Sequence, residues 1–170
     1  CIRDSTLFNE DNAFFNRIEF FETAAGSLNL SRMVVIATAG TASASELVTN
    51  AMIPHADVSI VGANTLGKPV GQLGLEFCDK ILRPTAFETI NSNGDGRYFD
   101  GLPADCPAAD DLAMPIGADE DPNMIAALSL LDTGACPVRA APAEGLQKPP
   151  APRPASPRQA TPWRQYADAW

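Results

Sequence analysis

The sequence predicts an α/β fold in which two parallel strands are joined by a helix. Residues 33–37 and 58–61 are short apolar runs of the kind that form buried strands. Between them, from Ala44 to Met52, apolar residues recur at spacings of three and four, which indicates one face of a helix. A strand, a helix and a strand in this order favour a parallel pair whose ends meet at one edge of a sheet.

The remaining elements follow from local patterns along the chain. Residues 14–21 and 34–37 are predicted to be strands joined by the polar residues 24–32, and Pro54 should end the helix. Residues 75–90 predict one or two further strands interrupted at Pro84, followed by a tight turn at residues 91–96. Asp121 and Pro122 should open a short helix over residues 124–131 that closes at Gly134.

Composition is that of a soluble globular protein. The chain has 170 residues, of which 45% are hydrophobic and 19% charged, with a net charge of -9. An acidic chain of this kind argues against a nucleic-acid partner, and no apolar run approaches the length that a membrane helix needs. Beyond residue 138 the chain is rich in proline, alanine and arginine, which is typical of an extended tail or linker.

The cysteines and the histidine give no metal-binding pattern. Cys1, Cys78, Cys106 and Cys136 lack Cys-x-x-Cys spacing, and His55 has no partner at ligand spacing, so neither zinc nor another metal is expected. Cys106 and Cys136, each followed by proline, are the best candidates for a disulfide, which would imply an oxidising compartment. Free thiols in a cytosolic protein are the alternative.

The chemistry of the chain is predicted to lie in a serine and a lysine separated by 25 residues. Ser43 falls at a strand-to-helix turn, where the first N–H groups of the helix lack partners, and the Ala44 amide could bind an oxyanion. Lys68 follows the second apolar run, and a lysine that is desolvated there can lose its charge and act as a general base. Gln72, four residues on, could orient the amine without adding charge.

Each of these residues also has a structural interpretation. Ser43 and Glu46 fit the capping box of a helix start. Gly67, Lys68 and Pro69 fit a surface turn with a solvated lysine. The occurrence of both motifs around one strand-helix unit favours a catalytic pair.

These residues resemble the tail-specific, or C-terminal-processing, serine proteases. The resemblance rests on the segment TASASE at residues 41–46, the segment TLGKP at residues 65–69, and the glutamine four residues after the lysine. It implies that Ser43 is the nucleophile, Lys68 the base, Gln72 its orienting residue and the Ala44 amide an oxyanion donor. Leu66 and Pro69 depart from the family pattern, which has an aromatic residue and a glycine there. The segments YFDG at 98–101 and GAC at 134–136 match a known variant of these enzymes.

The resemblance also implies a fold, a domain organisation and a function. It predicts a crotonase-like mixed sheet-and-helix core, with residues 1–138 as the C-terminal part of the catalytic domain and residues 139–170 as the tail. The expected activity is cleavage of polypeptides in the periplasm or another extracytoplasmic compartment, without metal or organic cofactor, in a protein that its upstream sequence could anchor to a membrane. The upstream remainder of the domain should supply a second oxyanion donor, so residues 1–170 alone are expected to be inactive.

Two alternatives to a peptidase remain open. A non-catalytic relative, such as a pseudoprotease or a carrier of apolar ligands, could keep Ser43 for helix capping. A serine hydrolase that acts on non-peptide esters or amides would have the same residues. The aromatic end of the tail suggests self-association, through docking on the same or another subunit.

Overall fold

The computed structural model describes residues 1–115 and 117–137, which form two sheets, one separate hairpin and two α-helices. The helices are α1 (Ala44–Met52) and α2 (Pro122–Thr133), and a short 3-10 helix spans Glu10–Phe15. The strands are β1 (Ile2–Phe8), β2 (Arg17–Phe20), β3 (Arg32–Ala37), β4 (Asp57–Gly62), β5 (Val70–Gln72), β6 (Leu75–Phe77), β7 (Lys80–Leu82), β8 (Thr85–Asn91) and β9 (Cys106–Pro107).

The predicted parallel unit is present. β3 and β4 pair in parallel, with Val35 opposite Ile60, and α1 connects them. β9 adds to the other side of β4, also in parallel. α2 packs on this sheet and buries Ala126, Ala127 and Leu130 against Val61, which forms one apolar cluster of the described residues. A second cluster joins Ala37, Ile60 and Leu102.

The second sheet is antiparallel and has the strand order β2-β1-β8-β5. α1 packs against β8 and β1, and buried amides fix the contact. Asn50 on α1 donates to the carbonyl of Asp95 at 2.9 Å, and the Asn91 amide donates to the carbonyl of Asn50 at 3.2 Å. The helix that carries the serine turn is thereby held to the sheet that contains β5, the strand that follows Lys68.

The prediction of one strand over residues 14–21 was wrong. Phe14 and Phe15 belong to the 3-10 helix, and only Arg17–Phe20 is a strand. The Asn16 side chain accepts a hydrogen bond from the backbone N–H of Phe8 at 2.7 Å, which closes the connection between β1 and β2. The predicted strand therefore divides at Asn16 into the end of a 3-10 helix and a short strand.

The segment 75–90 contains three strands where one or two were expected. β6 and β7 form a hairpin that turns at Cys78, where the backbone φ is 52°, and Pro84 precedes β8. β1 and β5 were not predicted at all. β1 contains the polar run Arg3 to Thr6, and β5 is only three residues long, so neither shows a periodic pattern.

Other predictions are confirmed. α1 has the predicted bounds, and α2 begins at Pro122 after Asp121, whose carboxylate accepts from the backbone N–H of Asn123. α2 ends before Gly134, which has a φ of 72°. The structure pairs Cys106 with Cys136 in a disulfide, with their Cα atoms 5.7 Å apart.

Among the described residues, no helix combines the length and apolarity needed to cross a membrane. The tail predicted for residues 139–170, and its proposed docking, lie outside the described residues.

Candidate active site

Ser43 lies in the turn between β3 and α1, as the sequence predicts. It is the N-cap of α1 and is half-buried, with φ 53° and ψ -113°. A positive φ is uncommon for a residue with a side chain and costs about 1–3 kcal/mol. A strained backbone of this kind persists only where the surrounding contacts stabilise it.

Lys68 lies in the loop between β4 and β5 and is also half-buried. A backbone hydrogen bond joins this loop to the serine turn, because the N–H of Leu66 donates to the carbonyl of Thr41 at 2.8 Å. The two segments that carry the family resemblance are therefore in direct contact.

A buried carboxylate accepts four further hydrogen bonds, three of which join the two segments. Glu46, on the first turn of α1, has no solvent exposure. Its Oε2 accepts from the backbone N–H groups of Ser43 at 2.9 Å and Lys68 at 2.8 Å. Its Oε1 accepts from the hydroxyl of Thr65 at 2.5 Å and the N–H of Gly67 at 2.7 Å.

The shared oxygen brings the serine and lysine backbones together. Two nitrogens that both donate to one acceptor at normal distances lie within about 6 Å of each other. Ser43 and Lys68 are therefore neighbours in the fold, although 25 residues separate them in the chain.

The two residues predicted to support the dyad, Ala44 and Gln72, lie at the start of α1 and at the end of β5. Ala44 is the first residue of α1 and is exposed, and an N–H at that position has no acceptor within the helix. Gln72 ends β5, half-buried and opposite Thr85 of β8. The pairing of β5 with β8 shifts register between Gly71 and Gln72.

A third segment, residues 98–102, packs behind the lysine loop, residues 65–68. The backbone N–H of Leu102 donates to the Thr65 hydroxyl at 2.7 Å, and the Thr65 N–H donates back to the Leu102 carbonyl at 3.0 Å. Gly67 has a φ of +90°, and a β-carbon there would lie 2.3 Å from the carbonyl oxygen of Phe99. The YFDG segment therefore contacts the lysine loop, which gives this part of the sequence match a structural role.

Tyr98 adds an ionisable group to this region. Burial raises the pKa of its hydroxyl above the usual 10.0, a contact with Thr89 opposes the rise, and the charge of Glu46 adds to it. The hydroxyl is buried and has no hydrogen-bond partner of good geometry among the described residues. A neutral tyrosine beside a buried carboxylate is consistent with these two observations.

A model of the peptidase family S41 matches residues 4–107, which is more than half of the chain. The chain belongs to the S41 peptidase family.

A solved structure has a fold similar to that of this chain. A protein from Bacteroides fragilis NCTC 9343 that carries an S41 protease assignment aligns with a TM-score of 0.70 at 21% sequence identity. The alignment covers 76% of this chain and 36% of that one, so the chain spans about a third of the length of that structure. The likeness shows a mixed α/β fold that matches part of an S41 protease. No curated protein matches the chain.

Other features of this S41 chain lie away from the serine and lysine. His55 follows α1, where its Nε2 lies 2.9 Å from the carbonyl oxygen of Ile2, so it is remote from Ser43 as predicted. A surface pocket of about 390 Å³ is lined in part by Phe8 and Leu73, at the end of β5 away from Lys68. Within residues 1–115 and 117–137, no group of three metal-ligating side chains is present.

Sequence reasoning missed two residues of this S41 site. Glu46 was assigned only to the capping box, which accounts for one of its four contacts. Thr65 was not singled out, although it is buried and bonds both Glu46 and Leu102. The capping box marks Glu46 only for its bond from Ser43, and no local pattern indicates its bonds from residues 65–68 or the bond from Leu102 to Thr65, because these partners are distant in the chain.

Proposed function

We propose that the protein is a serine endopeptidase that uses Ser43 and Lys68 as a catalytic dyad. The observation that carries the proposal is the pair of backbone hydrogen bonds from these residues to a single carboxylate oxygen. Membership of the S41 family supports peptide-bond hydrolysis as the reaction.

The proposed reaction needs no group beyond the protein and water. The neutral amine of Lys68 takes the proton from the Ser43 hydroxyl as the serine oxygen attacks the peptide carbonyl carbon. The Ala44 N–H binds the resulting oxyanion. When the carbon–nitrogen bond breaks, the Lys68 ammonium returns the proton to the leaving amine. Water, deprotonated by the same amine, then attacks the ester carbonyl, and the Lys68 ammonium returns the proton to the Ser43 oxygen as the acyl–oxygen bond breaks. Gln72 orients the amine through a neutral hydrogen bond.

An edge strand beside Lys68 supports a polypeptide substrate. In the described part of the chain, β5 is the outermost strand of its sheet. The carbonyl of Pro69 accepts from the N–H of Thr89 on β8, and the N–H of Leu73 donates to the carbonyl of Pro84 just before β8. By alternation along the antiparallel ladder, the backbone groups of Val70 point to the open edge. An extended peptide could pair with these groups, whereas a small ester would not use them.

The proposed catalytic domain, residues 1–138 here, includes an upstream part and has a crotonase-like fold. The 36% coverage of the solved S41 structure supports this proposal. So do exposed apolar side chains near the serine turn: Ile36 of β3 is 43% exposed and Val48 of α1 is 57% exposed. The upstream part would cover them and supply a second oxyanion donor, so residues 1–170 alone should be inactive.

The disulfide between Cys106 and Cys136 supports an extracytoplasmic location, because such bonds persist in oxidising compartments. The periplasm is the compartment that we propose.

A peptide-cleavage assay on the protein with its upstream region tests the function. Ser43→Ala and Lys68→Ala should each lower kcat about a thousandfold or more. Ser45→Ala and Lys80→Ala are matched controls, since both residues are exposed and neither belongs to the proposed site. A panel of peptides and simple esters separates a peptidase from an esterase. Cleavage that survives Lys68→Ala would contradict the dyad, and a protein that binds but never cleaves would support the non-catalytic alternative.

A further inference from the structure

Glu46 makes more contacts than a helix cap requires. In a capping box, the acid three residues after the cap binds only the backbone N–H of the cap residue. Glu46 does so with Ser43, but its other three donors all come from residues 65–68, the loop that carries the proposed base. Most of its hydrogen-bonding capacity is therefore directed away from its own helix.

All four partners donate to Glu46, an arrangement that suits the two acceptor oxygens of an ionised carboxylate. Three of them are backbone N–H groups, at Ser43, Gly67 and Lys68, and these cannot reverse their direction. A glutamine of the same shape would place its NH₂ group against at least one of these N–H groups in either orientation. The site therefore favours a carboxylate over an amide side chain of the same shape.

The carboxylate also fixes distances that the proposed reaction depends on. Ser43 has a strained backbone, and its N–H shares Oε2 with the N–H of Lys68. Release of this oxygen would let the turn relax and the lysine loop move away from it. Because proton transfer needs the reacting atoms at hydrogen-bond distance, a shift of about 1 Å is enough to slow catalysis about a hundredfold.

We infer that Glu46 is a positioning residue that sets the separation of Ser43 and Lys68, with Thr65 as its second anchor. This inference rests on the proposed function. Thr65 donates to Glu46 and accepts from Leu102, so it links the carboxylate to the segment behind the lysine loop. The two side chains form a buried clamp that holds the serine turn and the lysine loop in one arrangement.

The test compares four variants of the protein with its upstream region: Glu46→Gln, Thr65→Val, Thr65→Ser and Asn50→Ala. We expect Glu46→Gln to lower kcat about a hundredfold with KM within about threefold, because the substrate does not touch Glu46. Thr65→Val should lower kcat about tenfold, and Thr65→Ser should restore most of the loss because it keeps the hydroxyl.

Asn50→Ala controls for a merely structural role. Asn50 lies on the same helix and is 3% exposed, and it hydrogen-bonds to the turn near Asp95 rather than to the lysine loop. It should lower the melting temperature yet leave kcat within about twofold of the parent. Hydrogen exchange adds a readout independent of activity, since Glu46→Gln should speed amide exchange at residues 65–68 and Asn50→Ala should not.

The outcomes separate the two proposals. If the parent protein cleaves and Glu46→Gln keeps its kcat, or leaves exchange at residues 65–68 unchanged, the positioning role is wrong and the dyad stands. If the parent shows no cleavage that depends on Ser43 and Lys68, the proposed function fails and the positioning role fails with it.

Discussion

Gly101 packs directly against the backbone of Thr65. A β-carbon on Gly101 would lie 2.0 Å from the carbonyl oxygen of Thr65, and the φ of Gly101 is +89°. No side chain fits in that space, so the glycine lets the segment behind the lysine loop approach it at backbone contact distance. This contact links the YFDG segment to the position of Lys68.

Replacement of Gly101 by alanine should therefore cost more stability than its φ alone explains. Gly94 is a matched control, because its φ is +87° and no atom of the described residues lies within 4 Å of the position that a β-carbon would take. Gly94→Ala should cost about 1 kcal/mol, and Gly101→Ala should exceed it by about 2 kcal/mol or more. Denaturant unfolding measures both values. Equal losses of unfolding free energy in the two variants would show that the close contact with Thr65 adds nothing to the cost of the substitution.

A second glycine makes room for an aromatic ring beside the proposed substrate edge. A β-carbon on Gly71 would lie 2.2 Å from the ring of Phe87, whereas one on Gly74 would lie 3.9 Å from its nearest neighbour. We expect Gly71→Ala to lose about 1–3 kcal/mol of unfolding free energy and Gly74→Ala less than about 0.5 kcal/mol. In a Phe87→Leu background the cost of Gly71→Ala should shrink, as a double-mutant cycle would reveal. An unchanged cost would mean that the ring is not the obstacle.

The disulfide between Cys106 and Cys136 should stabilise the packing of α2 on the parallel sheet. Its cysteines are 30 residues apart, and a loop of that length corresponds to about 3–4 kcal/mol. Reductant should lower the denaturant midpoint, and Cys136→Ser should lower it similarly and remove the response to reductant. Cys78→Ser, at an exposed free cysteine, should keep the response. A parent protein whose unfolding ignores reductant would refute the role of this bond.

Tyr98→Phe should leave stability unchanged or raise it by up to about 1 kcal/mol, because it removes a buried hydroxyl that has no hydrogen-bond partner of good geometry in the described part of the chain. The raised pKa means that the folded protein keeps the proton where the unfolded chain releases it. The stability that this hydroxyl contributes is therefore fully present below pH 10 and decreases as the pH rises further. The Tyr98→Phe variant should not show this decrease. Unfolding curves between pH 7 and pH 11 check both points. A loss above about 1 kcal/mol at pH 7 would indicate a hydrogen bond from the hydroxyl.

The sequence predicts the elements that have a periodic apolar pattern or a strong cap. α1 and the strands on either side of it follow from such patterns, and α2 follows from Asp121 and Gly134. The 3-10 helix at Glu10–Phe15 does not, because its residues have no periodic apolar pattern and its N-cap, Asn9, makes no side-chain cap hydrogen bond. β5 is too short to show any period.

The same distinction applies to the candidate site, where local motifs are visible in the sequence and contacts between distant residues are not. The motifs locate Ser43 and Lys68, and the structure brings their backbones together. The role of Glu46 is not visible in the sequence, because its partners at residues 65–68 are defined by the fold and not by local spacing. Likewise Gly101 matters through its contact with Thr65, which only the folded chain shows. The roles of Gln72 and Ala44 stay predictions.

The central claim is that the amine of Lys68 activates Ser43, and covalent labelling tests it most directly. The protein with its upstream region would be treated with a fluorophosphonate probe and the modified residue identified by mass spectrometry. We predict an adduct on Ser43 that forms at the parent rate in Lys80→Ala and is absent in Lys68→Ala. Labelling of Ser43 at an unchanged rate in Lys68→Ala would contradict the account.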